Sequence, residues 1–388
     1  MAEVTNFEHN GISIEATESP DAMGGIGDNV IGIVGTAPNR ALGVPLNAPF
    51  RISGQLQAEM LDKTGAEAGT LYQVVKNILK VVKIPIYVVV VEVGATPADT
   101  LNNVIGGVDA ESGQLQGMAA LATAQEDLTI IGAPGFSAEQ SVHSELASLG
   151  KRLRARVVLD GKDVTVADQV LNSESIGGAE LGYDRCLVIH QMPAVYSKAA
   201  KANVFLPPSS LAIAALGAVK QWESPGNQVT FAADVSRTVE YNIIDKSTEG
   251  DLLNRYGICY YARTILGGFS LIGNRSITGK FISYVGLEDA ISRKLIKGAQ
   301  KVMSKNLTKR AMEQEVQRVN AFMQDLVASE VIPGGKVYLH PELNTVEKYK
   351  NGTWYICIEY GRYAPNEHMI YQLNASDAII EEFLEDVL

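Results

Sequence analysis

Apolar and polar positions change rhythm along this 388-residue chain. Val30-Ile31-Gly32-Ile33-Val34 is a short apolar run closed by Gly35-Thr36-Ala37-Pro38, which predicts a strand ending in a turn. Gly69-Thr70-Leu71-Tyr72 opens a helix to about Val82, and Ile84 to Val93 reads as a buried strand. Gly106-Gly107 and Ser112-Gly113 to Leu121 predict a turn and a short helix. From Leu128 strands and helices alternate: Leu128 to Ala133 a strand, Glu139 to Gly150 an amphipathic helix, Arg156 to Leu159 a strand, Val164 to Leu171 a helix and Arg185 to His190 a strand. That alternation predicts a parallel sheet covered on both faces.

The stretch from Leu206 to Lys280 sets turn chemistry between apolar segments. Pro207-Pro208 stops a strand, and Leu211 to Trp222 is rich in Ala, Leu and Ile without proline, hence a helix. Glu223-Ser224-Pro225-Gly226-Asn227 is a loop; a strand follows from Gly257-Ile258, turning back as a hairpin at Gly267-Gly268. From Phe281 the character changes. Leu287 to Val327 predicts one or two long helices broken near Leu307-Thr308. Lys336 to Leu339, Thr353 to Tyr360 and Glu367 to Leu373 then predict three strands, with Trp354, Ile356 and Ile358 on one face. Helices followed by hairpins make this region α+β.

Two terminal segments lack an obvious partner within the chain. Gly11-Ile12-Ser13-Ile14-Glu15-Ala16 is a short alternating strand in an acidic stretch with no Lys or Arg before Arg40. Ser376 to Leu388 is amphipathic and acidic, with Ile379, Ile380, Phe383 and Leu384 as its apolar positions. A lone strand cannot satisfy its own backbone, so Gly11 to Ala16 is expected either as a frayed terminus or as an arm that completes a sheet in a neighbouring subunit.

Composition narrows the function. A formal charge of −11 argues against a nucleic-acid binder. Cys186, Cys259 and Cys357 form neither a disulfide framework nor a metal pair, and are expected as buried thiols. The most apolar run, Val81 to Val93, is broken by Lys83, Pro85 and Glu92, so no membrane insertion is expected. The start of the chain lacks a basic region ahead of an apolar core, so export by a signal peptide is not expected either.

The candidate chemistry is thin. Ser137, in Gly135-Phe136-Ser137-Ala138-Glu139, lacks the second glycine of a nucleophile elbow, and neither His143 nor His190 carries a motif marking it as its base. Gly273 to Lys280 is one residue too long for a phosphate loop, and Phe281 stands where Ser or Thr would hold magnesium. Gly24, Gly25 and Gly27 precede a Pro-rich loop rather than the helix of a dinucleotide fingerprint. The five histidines show no metal-ligand spacing. Neither catalytic residues nor a cofactor or metal is expected; a hydrolase on the α/β region is the rival reading. One charge feature remains: Lys294, Lys297, Lys301 and Lys305 are three or four apart, a basic helix face in an acidic protein.

The order of the Pro-x-Ser helix, the Ser-Pro-x-Asn loop, Leu253-Asn254-Arg255-Tyr256-Gly257-Ile258 and Gly273-Asn274-Arg275-Ser276 resembles that of the contractile tail sheath proteins of myophages and R-type bacteriocins. Gly226 stands where that family usually has Ser, Ile272 where it has Trp, and Ser276 where it has Thr. The Gly-Thr-Ala-Pro turn, Ala133-Pro134-Gly135-Phe136-Ser137 and Val158-Leu159-Asp160 extend the likeness over nearly the whole chain. The resemblance implies α/β plus α+β: a subtilisin-like parallel-sheet α/β domain, an α+β core domain and extended terminal arms. The expected boundaries are an N-terminal arm over 1–20, a smaller N-terminal region over 21–100, the α/β domain over 101–280, the core domain over 281–373 and a C-terminal arm over 374–388. It further implies a structural subunit that stacks as hexameric rings into a helical sheath around a tail tube protein, meets baseplate and tail terminator proteins, and contracts to drive the tube through a bacterial envelope. Such a subunit would be assembled in the host cytoplasm and reside in a virion tail or bacteriocin particle; a type VI-like injection machine is the alternative. The arms would be Gly11, Ile12, Ser13, Ile14 and Glu15 with Ile379, Ile380, Phe383 and Leu384, the acceptor sheet Trp354, Ile356 and Ile358, and the lysine face would meet the tube or an acidic arm.

Overall fold

The computed structural model describes residues 23–387. The expected N-terminal strand, Gly11 to Ala16, lies outside them. The chain enters with β1 (Ile31–Thr36), then β2 (Phe50–Ile52), α1 (Leu71–Val81) and β3 (Ile86–Val91). After α2 (Pro97–Ile105) come β4 (Ile130–Gly132), α3 (Gln140–Leu153), β5 (Arg156–Asp160), α4 (Val166–Glu174) and β6 (Cys186–Ile189). A small antiparallel sheet follows from β7 (Pro193–Ser197), β8 (Ala202–Phe205) and, beyond α5 (Ser209–Ala218), β9 (Asp234–Val235). Next are α6 (Glu249–Arg255), β10 (Ile258–Thr264) and β11 (Gly268–Ile272).

Eight of these strands form one sheet in the order β11-β10-β6-β5-β4-β1-β3-β2. The six inner strands are parallel, and the two outermost, β2 and β11, run antiparallel to their neighbours. The region 21–100, expected as a smaller separate unit, therefore supplies β1, β2 and β3 to the main sheet. The physical reason is in β3: Ile86, Val88 and Val90 face one buried cluster and Tyr87, Val89 and Val91 the other. A strand apolar on both faces needs cover on both, which only an inner position provides. The predicted short helix before Leu121 is instead a hairpin of two short strands, Gly107–Val108 and Leu115–Gln116, leading into a 3₁₀ turn at Gly117–Thr123.

The helix after Pro207-Pro208 is the centre of one face. All its residues from Ser209 to Gly217 are buried, as suits a helix apolar on every side. It sits close on β4 because Gly132 has no side chain there; a Cβ at that position would lie 2.9 Å from Ile213 Cδ1. Each fully buried Leu or Ile along it contributes about 1.5–3 kcal/mol.

The edge strand β11 does not end the hydrogen bonding. Asn227 N–H donates to Leu271 O (2.7 Å), Leu271 N–H to Gln228 O (3.0 Å) and Thr230 N–H to Phe269 O (2.9 Å). The Ser-Pro-Gly-Asn loop thus lies along that edge and covers it. At the opposite edge β2 is three residues long and carries the exposed Arg51 at its centre. Both are devices that blunt a sheet edge.

The remainder packs as a second, smaller core. α7 (Ile282–Gln300) and α8 (Lys309–Ala328) enclose Leu287, Ile291, Phe322, Met323 and Leu326 with Val331 and Ile332. The predicted helix break is a turn over 301–308, and the Thr308 hydroxyl caps α8 by accepting Ala311 N–H at 3.2 Å. β12 (Gly335–Leu339) and β13 (Ile356–Tyr360) form an antiparallel pair, with Gly335 opposite Tyr360 and Leu339 opposite Ile356. The third predicted strand, Glu367 to Leu373, is absent: no residue from 361 to 376 has regular structure. The final element is α9 (Asp377–Val387).

Candidate functional site

The residues first tested for chemistry form a structural staple. The Ser137 hydroxyl donates to Asp160 Oδ2 (2.7 Å) and accepts Asp160 N–H (2.9 Å). Gly135 N–H donates to the same carboxylate at 2.8 Å, and Ser209 N–H, at the start of α5, to its other oxygen at 2.8 Å. Asp160 therefore ties the ends of β4 and β5 to the first turn of α5. Burial pushes its carboxyl up, and these donors pull it back. His143 is engaged elsewhere, with Nδ1 2.8 Å from the Tyr183 hydroxyl. His190 is fully buried with neither ring nitrogen hydrogen-bonded, and burial, aided by Arg237, lowers its pKa to about 4. Neither imidazole is hydrogen-bonded to Ser137, so these residues do not form the geometry of a nucleophile and its base. Among the described residues no cluster of His, Cys, Asp and Glu could hold a metal, and no helix is long and apolar enough to cross a membrane. Cys186 and Cys259 are buried as expected, whereas Cys357 is half-buried.

The motif residues converge in space. Ser224, Asn227, Asn254, Gly257, Asn274 and Arg275 all line one open groove of about 910 Å³, whose far wall is the chain from Tyr363 to His368. Gly257 (φ +69°) is required there, since a Cβ would lie 2.4 Å from Ser276 O. The stretch rejected as a phosphate loop is a tight turn, closed by Ser276 N–H to Lys280 O at 2.8 Å. Arg275 stacks on Phe281, 3.9 Å from its ring centre, and grips Glu367 with two hydrogen bonds of 3.0 and 2.6 Å. Arg362 lies over Tyr284 at 4.4 Å. This clasp is why Glu367 to Leu373 is not a strand beside β12 or β13: the segment is held against the loop before α7. No sequence signal links Arg275 and Glu367, which stand 92 positions apart.

The lysine face is shorter than its spacing implied. Lys294 and Lys297 lie on α7, Lys301 is its C-cap, and Lys305 lies beyond it in the turn, where Ser304 adopts φ +67°. The four are therefore not one helical stripe, because α7 ends at Gln300. Lys297 Nζ pairs with Asp127 at 2.5 Å within the chain. Deeper in α7, Asp289 is bound by Arg185 through bonds of 2.9 and 3.3 Å, with Arg154 at 3.7 Å. Burial pushes the Asp289 carboxyl up against the pull of these arginines and Arg293. This buried network joins α7 to the large sheet.

The expected acceptor residues divide. Ile358 packs on the small core, while Trp354 precedes β13 and lines a second groove with Ile356. The C-terminal residues named as a strand arm are helical: Ile379, Ile380, Phe383 and Leu384 fall in α9 at spacings of one, three and one, which brings them to one side of a helix. No residue of α9 is buried, and Phe383 is 63% exposed. Met369, Ile370, Tyr371 and Leu373 before it are also exposed.

A body with covered sheet edges, followed by a long apolar segment that the chain itself leaves uncovered, is the arrangement of a subunit made for assembly. Comparison with known proteins names the kind of assembly. The chain is 26% identical over 308 residues to a prophage major tail sheath protein of Pseudomonas aeruginosa (strain UCBPP-PA14), covering 76% of this chain and 78% of that protein. It is 24% identical over 295 residues to the tail sheath protein of Burkholderia phage BcepMu, covering 70% and 61%. In fold it matches the helical sheath of the anti-feeding prophage in its contracted state with a TM-score of 0.69 at 17% identity, over 95% of this chain and 99% of that one. The sheath complex of the extracellular contractile injection system PVC, also contracted, matches with a TM-score of 0.69 at 14% identity, over 96% and 98%. No family model matches the chain. The resemblance carried by the motifs is thus shown: the chain is a relative of the contractile tail sheath proteins.

Proposed function

We propose that the chain is the sheath subunit of a contractile tail or related injection particle. It polymerises as stacked hexameric rings around an inner tube and contracts to drive that tube through a bacterial envelope. The observation that carries this reading is the similarity to tail sheath proteins over most of the chain. In this reading the large α/β unit is the subtilisin-like sheath domain and α7 to β13 the core domain. The exposed segment after Tyr360 supports the arm role, and the residues from Gly11 to Glu15 would be its N-terminal counterpart. β12 and β13 pair only with each other among the described residues, so each leaves an edge to which a neighbour's strand can add. Every added backbone hydrogen bond would contribute about 0.5–1.5 kcal/mol. Lys294 and Lys297 on α7, with Lys301 and Lys305 after it, would face the tube or an acidic arm, and baseplate and tail terminator proteins would close the ends. Assembly would take place in the host cytoplasm.

Negative-stain electron microscopy of the purified chain, alone and with its tube, tests the reading. Hollow striated cylinders or six-fold rings are expected; dispersed monomers under both conditions would return the α/β unit to consideration as a hydrolase. Removal of residues 1–18 is expected to give soluble chains that form no cylinders, and normal cylinders from that variant would refute the N-terminal arm.

A further inference from the structure

The joint between α7 and the large sheet carries more positive charge than its carboxylates balance. Arg156, the first residue of β5, is 1% exposed. Its Nη2 donates to Asn29 Oδ1 at 2.6 Å, and its Nη1 is buried without a hydrogen-bond partner. Asn29 is neutral and already engaged: the same oxygen accepts the Thr129 hydroxyl at 3.1 Å, and its amide donates to Val219 O at 2.6 Å. Arg293, on α7, reaches the same place, where its guanidinium donates to Gln221 Oε1 and to Arg154 O. Gly286 shows how closely these groups meet. A Cβ there would lie 1.9 Å from Gln221 O and 3.4 Å from Arg156 Cδ.

Two carboxylates act on this pair of arginines, and both are held by other cations. Asp289 is bound by Arg185 at 2.9 Å with Arg154 at 3.7 Å, and Asp127 by Lys297 at 2.5 Å. Burial lowers the Arg156 pKa to about 9, with Arg293 adding to the fall and Asp289 opposing it. Arg156 is therefore still a cation at neutral pH, and among the described residues its only hydrogen-bond partner is an uncharged amide. A buried cation without a counter-charge is strongly destabilising. A water at Nη1 would satisfy the hydrogen bond and leave the charge; an anion answers both.

We propose that Arg156 and Arg293 hold a small inorganic anion, chloride, between the start of β5 and α7, with Arg156 Nη1 as its innermost donor. Enclosure sets the size: Asn29, Thr129 and Gln221 around the site are each no more than 4% exposed, which favours an anion of one atom over sulfate or phosphate. The ion would enter as α7 closes on the sheet, so that the joint between the two cores depends on the salt present. This inference is independent of the sheath reading.

Urea denaturation of the full chain tests it, in sodium chloride and in sodium sulfate at matched ionic strength. Sulfate strengthens burial in general, so an unspecific salt effect favours sulfate, whereas a seated anion favours chloride. The ratio of folded to unfolded chains is expected to rise about tenfold for each tenfold increase in chloride above its dissociation constant. Arg156→Met and Arg293→Gln should each lose that chloride-specific rise. Arg293 is only half-buried, so Arg293→Gln decides by itself if Arg156→Met fails to fold. An unsubstituted chain with no preference for chloride would overturn the proposal. A preference that survives in Arg293→Gln would overturn it too, by seating the anion elsewhere.

Discussion

The large sheet and the small one solve the same problem in opposite ways. Six parallel strands of the eight-stranded sheet are enclosed by helices and by strands that stop short or are overlaid, and its inner strands are buried on both faces. The β12–β13 pair has two strands, residues mostly half-buried, and after it a stretch that is nearly all exposed. A two-stranded pair is marginal by itself. The contrast shows where the chain keeps its buried core and where it does not: among the described residues the first region covers its strands on both faces, and the second leaves two strand edges open.

The largest expected effect comes from breaking the joint between the two. Arg185→Met leaves Asp289 buried without its bidentate partner, and equilibrium denaturation is expected to show a loss of about 3–5 kcal/mol. Adding Asp289→Leu should recover most of it; no recovery would mean that packing and not charge holds α7 to the sheet. Next is His190, whose nitrogens face no hydrogen-bond partner and whose charged neighbours are Arg237, Asp163 and Glu249. Its folded pKa, near 4, lies below the ordinary value of 6.5, so the unfolded chain binds the proton first as pH falls. The contribution is intact above pH 6.5 and is lost progressively toward pH 4, on the order of 3 kcal/mol in all. Denaturation curves across that window should flatten in His190→Leu, and an unchanged slope would assign the acid sensitivity to other groups. The smallest effect on stability belongs to Arg275→Ala. Its bond to Glu367 is partly exposed and worth about 1 kcal/mol at most. Global stability should barely move, while amide exchange over 363–373 should rise; protection retained there would show that the clasp does not hold that segment.

The same contrast sorts what the sequence made legible. Within the body, local pattern and final structure agree, because burial on both faces writes itself into runs such as Ile86 to Val91 and the Ala/Leu/Ile helix after Pro207-Pro208. The Gly267-Gly268 hairpin and the break before α8 were legible from turn residues alone. The small sheet of β7, β8 and β9 was not, since its strands are short, one begins at Pro193, and its third member comes from beyond α5. Outside the body, β-branched residues misled. Glu367 to Leu373 has strand composition but no strand partner among the described residues, and a distant arginine fixes its first residue. Ile379 and Ile380 suggested a strand arm, although the spacing through Phe383 and Leu384 already had a helical period. Nor could the lysine spacing reveal that α7 stops at Gln300. The converging groove around Asn227, Asn254 and Asn274 was visible only as an order of motifs, its geometry being entirely tertiary.

The strip of residues 227–230 along β11 has one further consequence, for traffic before assembly. A crowded pool of unjoined subunits would meet, on the bare side of an eight-stranded sheet, a template for indiscriminate stacking. With that side overlaid, one route to indiscriminate pairing is closed, while among the described residues β12 and β13 keep an open edge each.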